Sequence, residues 1–167
     1  MEPMHRCEYI DDGRCTYEAV TAYGSVNPVW LCEKHIRPAY HRALDRAVAR
    51  ALEWIEVPNP SPSNRRGRIG RKWWSRGYHD DQYMYACDTF TPSTQPFWEH
   101  SDSFGWLMAK AMRECTDIEV HTSGGQTVVT MRRNGTAGNG QNTSWRVALC
   151  QALVLTYGGI LPEEPQR

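Results

Sequence analysis

The segment Asp117 to Arg133, DIEVHTSGGQTVVTMRR, decides the fold class. It reads as two extended pieces, DIEVHT and QTVVTMRR, joined by SGGQ, and a glycine pair between such runs is a hairpin signal. In the second piece, alternation separates Thr127, Val129 and Met131 from Val128, Thr130 and Arg132, so one set can face a core while the other faces water.

Helical patterns flank this hairpin. Upstream, from Ser101, the residues Phe104, Leu107, Met108, Ala111, Met112 and Cys115 share one helical face, and Ser101 or Ser103 can cap it. Downstream, a helix starts near Thr143 or Ser144, runs through WRVALCQALVLTY and ends at Gly158 and Gly159. That last helix is apolar on more than one side, more than one small sheet can cover, which makes burial and a homo-oligomer the expectations. Between hairpin and helix, NGTAGNGQN (134–142) reads as a long loop, either a clamp on a ligand or a flexible hairpin tip.

Earlier in the chain, PAYHRALDRAVARALEWI (38–55) places Tyr40, Ala43, Leu44, Ala47, Val48, Ala51, Leu52 and Ile55 at helical spacing. Pro38 suits a first helical turn, and Pro58 stops the helix from continuing. Arg42, Arg46 and Arg50, with Asp45 and Glu53, fall on the opposite face and read as solvated surface. An exposed connection follows at 58–72. Arg65, Arg66, Arg68, Arg71, Lys72 and Arg76 occur there and just beyond with no acidic residue between them, and Trp73 and Trp74 sit inside the run. Basic groups interleaved with aromatics can grip a phosphate and stack a base. The plainer reading is a solvated loop entering a strand, with one of the two Trp outward. DQYMYACDTF (81–90) is a further strand candidate, ended by the prolines of TPSTQPFWEH.

The front of the chain carries a different chemistry. Cys7 and Cys15 lie on either side of an Asp12-Gly13 turn, and VWLCEKH (29–35) adds Cys32 and His35 two residues apart at a helix start. Three thiolates and an imidazole are a closed tetrahedral set that zinc prefers, and Lys34 and Arg37 ease thiol deprotonation. His5 is a substitute ligand, and the alternative is a set of ordinary buried cysteines. Such a site leaves no position for water or substrate, so the zinc would be structural, supplying folding energy to a segment too small for a core of its own.

Composition narrows the partners. Nineteen basic and nineteen acidic residues cancel, which removes the generic argument for nucleic acid or an acidic membrane. Nothing approaches a membrane-spanning apolar run, and MEPMHRCEY has no apolar signal region. Isolated Cys87, Cys115 and Cys150 fit free thiols in a reducing compartment. The expected fold class is α+β: a small antiparallel sheet packed with two to three helices over 38–161, preceded by a zinc module at 1–37 and followed by a loosely ordered tail at 162–167.

The order of ALDRAVARALEW (43–54), FTPSTQPFWEHSDSFGWLMAKAM (90–112), IEVHTSGGQTVVTM (118–131) and SWRVALCQALVLTYGG (144–159) resembles the small phage proteins with an ABA sandwich domain, and the NinX-type phage proteins. Thr91 stands where that family has Ser, and the Cys/His module is an addition, itself similar to small zinc modules of phage and actinobacterial proteins. The resemblance implies a compact α+β domain and an accessory role in the cytoplasm of an infected bacterium. It implies no reaction.

Candidate acid/base pairs, His79 with Asp80 and Asp81, His100 with Asp102, and His121 with Glu119, have no diagnostic spacing, and no catalytic motif accompanies them. A non-enzymatic binder fits more of the chain. Its expected ligand is a nucleotide-like small molecule, a host immune signal held without cleavage, at Arg71, Trp73, Trp74, Arg76, Thr91, Ser93, Trp98, Arg132 and Arg133. The alternative is an adaptor or inhibitor that holds a host defence protein. Glu8, Asp11, Asp12 and Glu18 make the module acidic and argue against DNA.

Overall fold

A computed structural model describes residues 5–8, 15–25, 28–53, 55–57, 73–75, 84–86 and 101–164 of the chain, with side chains at 5–8, 15–25, 28–53 and 107–164. In chain order these form β1 (Thr21–Tyr23), β2 (Val29–Leu31), α1 (Glu33–Ala51), β3 (Ile55–Val57), β4 (Trp73–Ser75), β5 (Met84–Ala86), α2 (Ser101–Glu114), β6 (Asp117–Ser123), β7 (Gln126–Arg133), β8 (Thr136–Asn142) and α3 (Trp145–Thr156). The strands pair antiparallel as β1-β2, β3-β4-β5 and β6-β7-β8. The architecture is α+β, as the sequence predicts. No helix among the described residues is long and apolar enough to cross a membrane.

The third sheet is built by two tight turns. Gly124-Gly125 and Asn134-Gly135 have φ of 58° and 77°, and of 48° and 81°. Positive φ at both central residues is the two-residue turn whose twist matches that of the flanking strands. The first turn pairs Ser123 with Gln126 and sets the register that carries Thr127, Val129 and Met131 to the buried face.

Residues 134–142, read as a loop from composition, are instead a turn followed by strand β8. Glycine is there because α3 lies directly on the strand. A Cβ at Gly140 would stand 1.8 Å from the Ala148 carbonyl oxygen, and one at Gly138 2.2 Å from that of Ala152. Glycine inside a strand marks such a close backbone approach. The facing residues on α3 are alanines one turn apart, so the seam has small residues on both sides.

Helix α3 also packs on β7 and against α1. Its Val147, Leu149, Leu153 and Val154 meet Leu44 and Val48 of α1, Leu107 and Ala111 of α2, and Val129 and Met131 of β7 in one core. The all-round apolar character of α3 is thus matched by layers within the chain. Ser144 precedes the helix in extended conformation. At the other end the Gly158 N–H bonds to the Leu155 carbonyl and the Gly159 N–H to that of Val154, closing the helix in a Schellman pattern. Gln151, buried in α3, accepts from the Gln141 N–H at 2.9 Å and donates to Tyr40 Oη at 2.7 Å and Glu164 Oε1 at 3.1 Å. Pro162–Glu164 is accordingly held against the domain, where a loose tail was expected; residues 165–167 lie outside the described residues.

Helix α1 begins at Glu33, not Pro38, and the 37/38 position lies inside it. Its first turn is tied by the His35 N–H to the Cys32 carbonyl, and Pro38 is carried in the interior although it cannot donate to the Lys34 carbonyl. The helix stops at Ala51 because Glu53 takes positive φ, and Ile55 falls in β3. Arg42 and Asp45, read as solvated, are buried. In α2, Leu107 and Ala111 are buried as the spacing requires, but Met112 is 71% exposed, since it lies about 100° round the helix from Ala111. The segment 58–72, the strand expected beyond Met84–Ala86, and the Pro-rich stretch 91–100 lie outside the described residues.

Gly140→Ala drives a methyl group into the α3 backbone and is expected to destabilise the fold by at least about 2 kcal/mol. Asn139→Ala, on the exposed face of the same strand, is expected to change stability by less than about 0.5 kcal/mol. Urea denaturation of the two variants checks both.

Candidate metal centre

The ligand set assembles from three pieces of chain. An extended arm, residues 5–8, is held by the Cys7 N–H to the Tyr17 carbonyl, the Ala19 N–H to the His5 carbonyl and the Glu8 N–H to the Trp30 carbonyl. Glu8 Oε2 in turn accepts the Trp30 N–H at 2.8 Å. These bonds set Cys7 beside the hairpin β1-β2, which pairs Thr21 with Leu31 and delivers Cys32 to the start of α1. The first turn of α1 then brings His35 back over Cys32.

Cys7 Sγ and Cys32 Sγ each lie 3.3 Å from His35 Nδ1, and Cys15 Sγ lies 3.8 Å from Cys32 Sγ. All four ligand atoms fall within 4.8 Å of one another. The sulfur separation is far beyond a disulfide bond, so the cysteines converge without bonding. Cys7 and Cys32 are buried with Leu31, and Cys15, Tyr23, Ile36 and Ala39 pack around them. That cluster is too small to fold on hydrophobic burial alone. Burial first, then hydrogen bonding with Cys7 and Cys15, raises the Cys32 thiol above its usual range. Three thiols crowded on an imidazole are a poor core and a good cation site, and Cys7, Cys15, Cys32 and His35 can bind a metal ion.

Lys34 and His5 complete the surroundings, and only His5 departs from the role expected of it. Lys34 donates to Tyr17 Oη at 2.8 Å and lies 4.2 Å from that ring's centroid, while its backbone N–H bonds to Cys32 and works to lower that thiol, against the larger effect of burial. His5 stacks on Trp30 with ring centroids 3.9 Å apart and stands outside the ligand cluster.

Of the nine residues expected to hold a small ligand, Arg71, Arg76, Thr91, Ser93 and Trp98 lie outside the described residues. Trp73 and Trp74 are in β4, in register with Ala86 and Tyr85 of β5. Arg132 and Arg133 both engage carboxylates of the chain. Arg132 Nη1 is 2.5 Å from Asp117 Oδ2 and 3.4 Å from Glu119 Oε1. Arg133 Nε is 3.6 Å from Glu114 Oε2, and its guanidinium lies 4.3 Å from the Tyr157 ring centroid. Adjacent strand residues face opposite sides, so the two forks do not converge on one ligand. His121 and Glu119 form an exposed pair at 3.9 Å; His79, Asp80, Asp81 and His100 lie outside the described residues. No disulfide involves Cys115 or Cys150, and Cys87 is outside the described residues.

Two clefts went unread in the sequence. One, of about 640 Å³, is lined by Arg37, Tyr40, His41, Gln141, Asn142 and Glu164 among others. A second, of about 700 Å³, lies between the C-terminal half of α1 and residues 157–162. Arg46 and Arg50 line it, one helical turn apart, and that i, i+4 spacing was the only sign available beforehand.

No family model, no curated protein and no solved structure matches this chain.

Glu114 joins α2, β7 and α3. Burial works to raise its carboxyl, but bonds from Lys110 and Tyr157 outweigh this and hold it below the usual value. A depressed folded-state value stabilises above the unfolded carboxylate value of about 4.3 and is lost as pH falls through the folded one. Glu114→Gln is therefore expected to flatten the acid limb of a stability–pH curve below about pH 4.3. Arg133→Ala is expected to cost about 1 kcal/mol, and the more exposed Arg132→Ala less than about 0.5 kcal/mol, both read by urea denaturation.

Proposed function

We propose that this chain is a non-catalytic binding protein, closed at its N-terminal end on one structural zinc ion, that sequesters a nucleotide-derived immune signal in a phage-infected bacterium. The observation that carries the zinc assignment is the donor geometry. Ligands at about 2.3 Å for sulfur and about 2.0 Å for nitrogen around a tetrahedral zinc are separated by about 3.8 Å for S···S and about 3.5 Å for S···N. The separations of 3.8 Å and 3.3 Å in this cluster match that frame. Cys7, Cys15, Cys32 and His35 would fill all four positions, so the ion would hold the arm, the hairpin and the first turn of α1 together.

The sequestration reading is supported by the phage resemblance and by the two clefts, whose sizes suit small molecules. The adaptor reading has one observation in its favour. Tyr17, Val20 and Val29 of the N-terminal module are 52%, 64% and 39% exposed, apolar surface that a host protein could cover. Native mass spectrometry after incubation with a protein-free filtrate of infected cells separates the two. A retained mass in the nucleotide range, released unchanged on denaturation, is the expected result. Zinc-loaded protein with no added mass would sink sequestration and favour the adaptor.

For the metal itself, elemental analysis is expected to give one zinc per chain. Cys32→Ser and His35→Ala are expected to lose it and to open residues 5–35 to proteolysis. Because zinc needs deprotonated thiols, acidification is expected to release the ion.

A further inference from the structure

We infer that the cleft between the C-terminal half of α1 and the chain after α3 binds a phosphate-bearing small molecule of mononucleotide size, anchored by Arg46 with Arg50 at its opening. The inference deepens the sequestration reading, and rests on it only for where the ligand comes from.

The argument starts from Arg46. Its Nε is buried and has no hydrogen-bond partner among the described residues, and the residue lines the cleft. A buried cationic donor left without an acceptor is costly, and an anion in the cleft supplies one once the Arg46 side chain turns to meet it. Arg50, exposed and one turn on, lies on the same face of α1. Neither makes an ion pair among the described residues, in contrast to Arg132 and Arg133, whose carboxylate partners are in place.

Space beside these forks comes from small residues. Ala43, Ala47 and Ala51 stop at Cβ, and Gly158 and Gly159 have no side chain, so about 700 Å³ remains open. The carbonyls of Leu155 and Val154 at the end of α3 already accept the Gly158 and Gly159 N–H groups, which lessens the negative potential at that wall. Ile160, 89% exposed, with Leu161 and Pro162, offers an apolar surface for a flat ring. Glu53 also lines the cleft. Its carboxylate opposes a second phosphate and can accept a hydroxyl or amine, which selects one phosphate group on a polar, ring-bearing body.

Isothermal titration of the zinc-loaded protein with adenosine 5′-monophosphate, and separately with inorganic phosphate, tests this. The wild type is expected to bind the nucleotide more tightly than phosphate. Arg46→Ala and Arg50→Glu are each expected to weaken the nucleotide at least tenfold, with zinc content and circular dichroism unchanged. Arg50 is exposed, so its variant decides the matter even if Arg46→Ala fails to fold. Wild-type protein that binds neither probe overturns the site, as do variants that bind like wild type. A nucleotide retained from infected-cell filtrate equally well by Arg50→Glu also overturns it, while leaving sequestration standing. Loss of adenosine 5′-monophosphate binding in the variants, with nothing retained from filtrate, upholds the site and removes sequestration.

Discussion

Helix α3 lies so close to strand β8 that no side chain fits at positions 138 and 140, and the rest of the domain is arranged around that contact. Gly138 and Gly140 meet Ala148 and Ala152 backbone to backbone. With the helix this low on the sheet, Val129 and Met131 of β7 reach its flank, and its far side is left for α1. Gln151 shows the same economy of space. Its amide satisfies a β8 N–H, the Tyr40 hydroxyl and Glu164 at once, so burying a polar side chain in α3 leaves its donors and acceptor matched.

Helix α1 carries this order to the other end of the chain. Its first turn holds His35 beside three cysteines, its middle supplies Tyr40, Leu44 and Val48 to the core, and its last turns form one wall of the larger cleft. One helix thus spans the Cys/His cluster, the core and the cleft. A metal ion at Cys32 and His35 would fix the N-terminal end of the helix that presents Arg46 and Arg50. The physical link is continuous backbone hydrogen bonding along α1, weakened only where Pro38 withholds a donor.

The arginines divide by environment. Arg132 and Arg133 sit at the end of a strand among Asp117, Glu119 and Glu114, and hold elements of the fold together. Arg46 and Arg50 line a cleft together with Ala43, Ala47 and Ala51, and neither has a carboxylate partner among the described residues. Sequence alone ranked the first pair as ligand-binding because they follow a strand and precede a glycine-rich stretch. That stretch proved to be β8.

What the sequence determined by itself is local. The 117–133 hairpin and the helical stripes of α2 and α3 follow from periodicity and turn residues, which depend on near neighbours along the chain. The chemistry of soft ligands singled out Cys7, Cys15, Cys32 and His35 before the arm and hairpin that bring them together were known. Tertiary structure decided the rest. Thr136–Asn142 became a strand because a helix twelve residues long pressed on its glycines, a contact no composition rule anticipates. Arg42 and Asp45 became buried on a helix that packs against α3, and Arg46 came to line a cleft because residues 157–162 lie beside α1. Burial and vacancy are properties of what lies across space from a residue, and the sequence around that residue does not contain them.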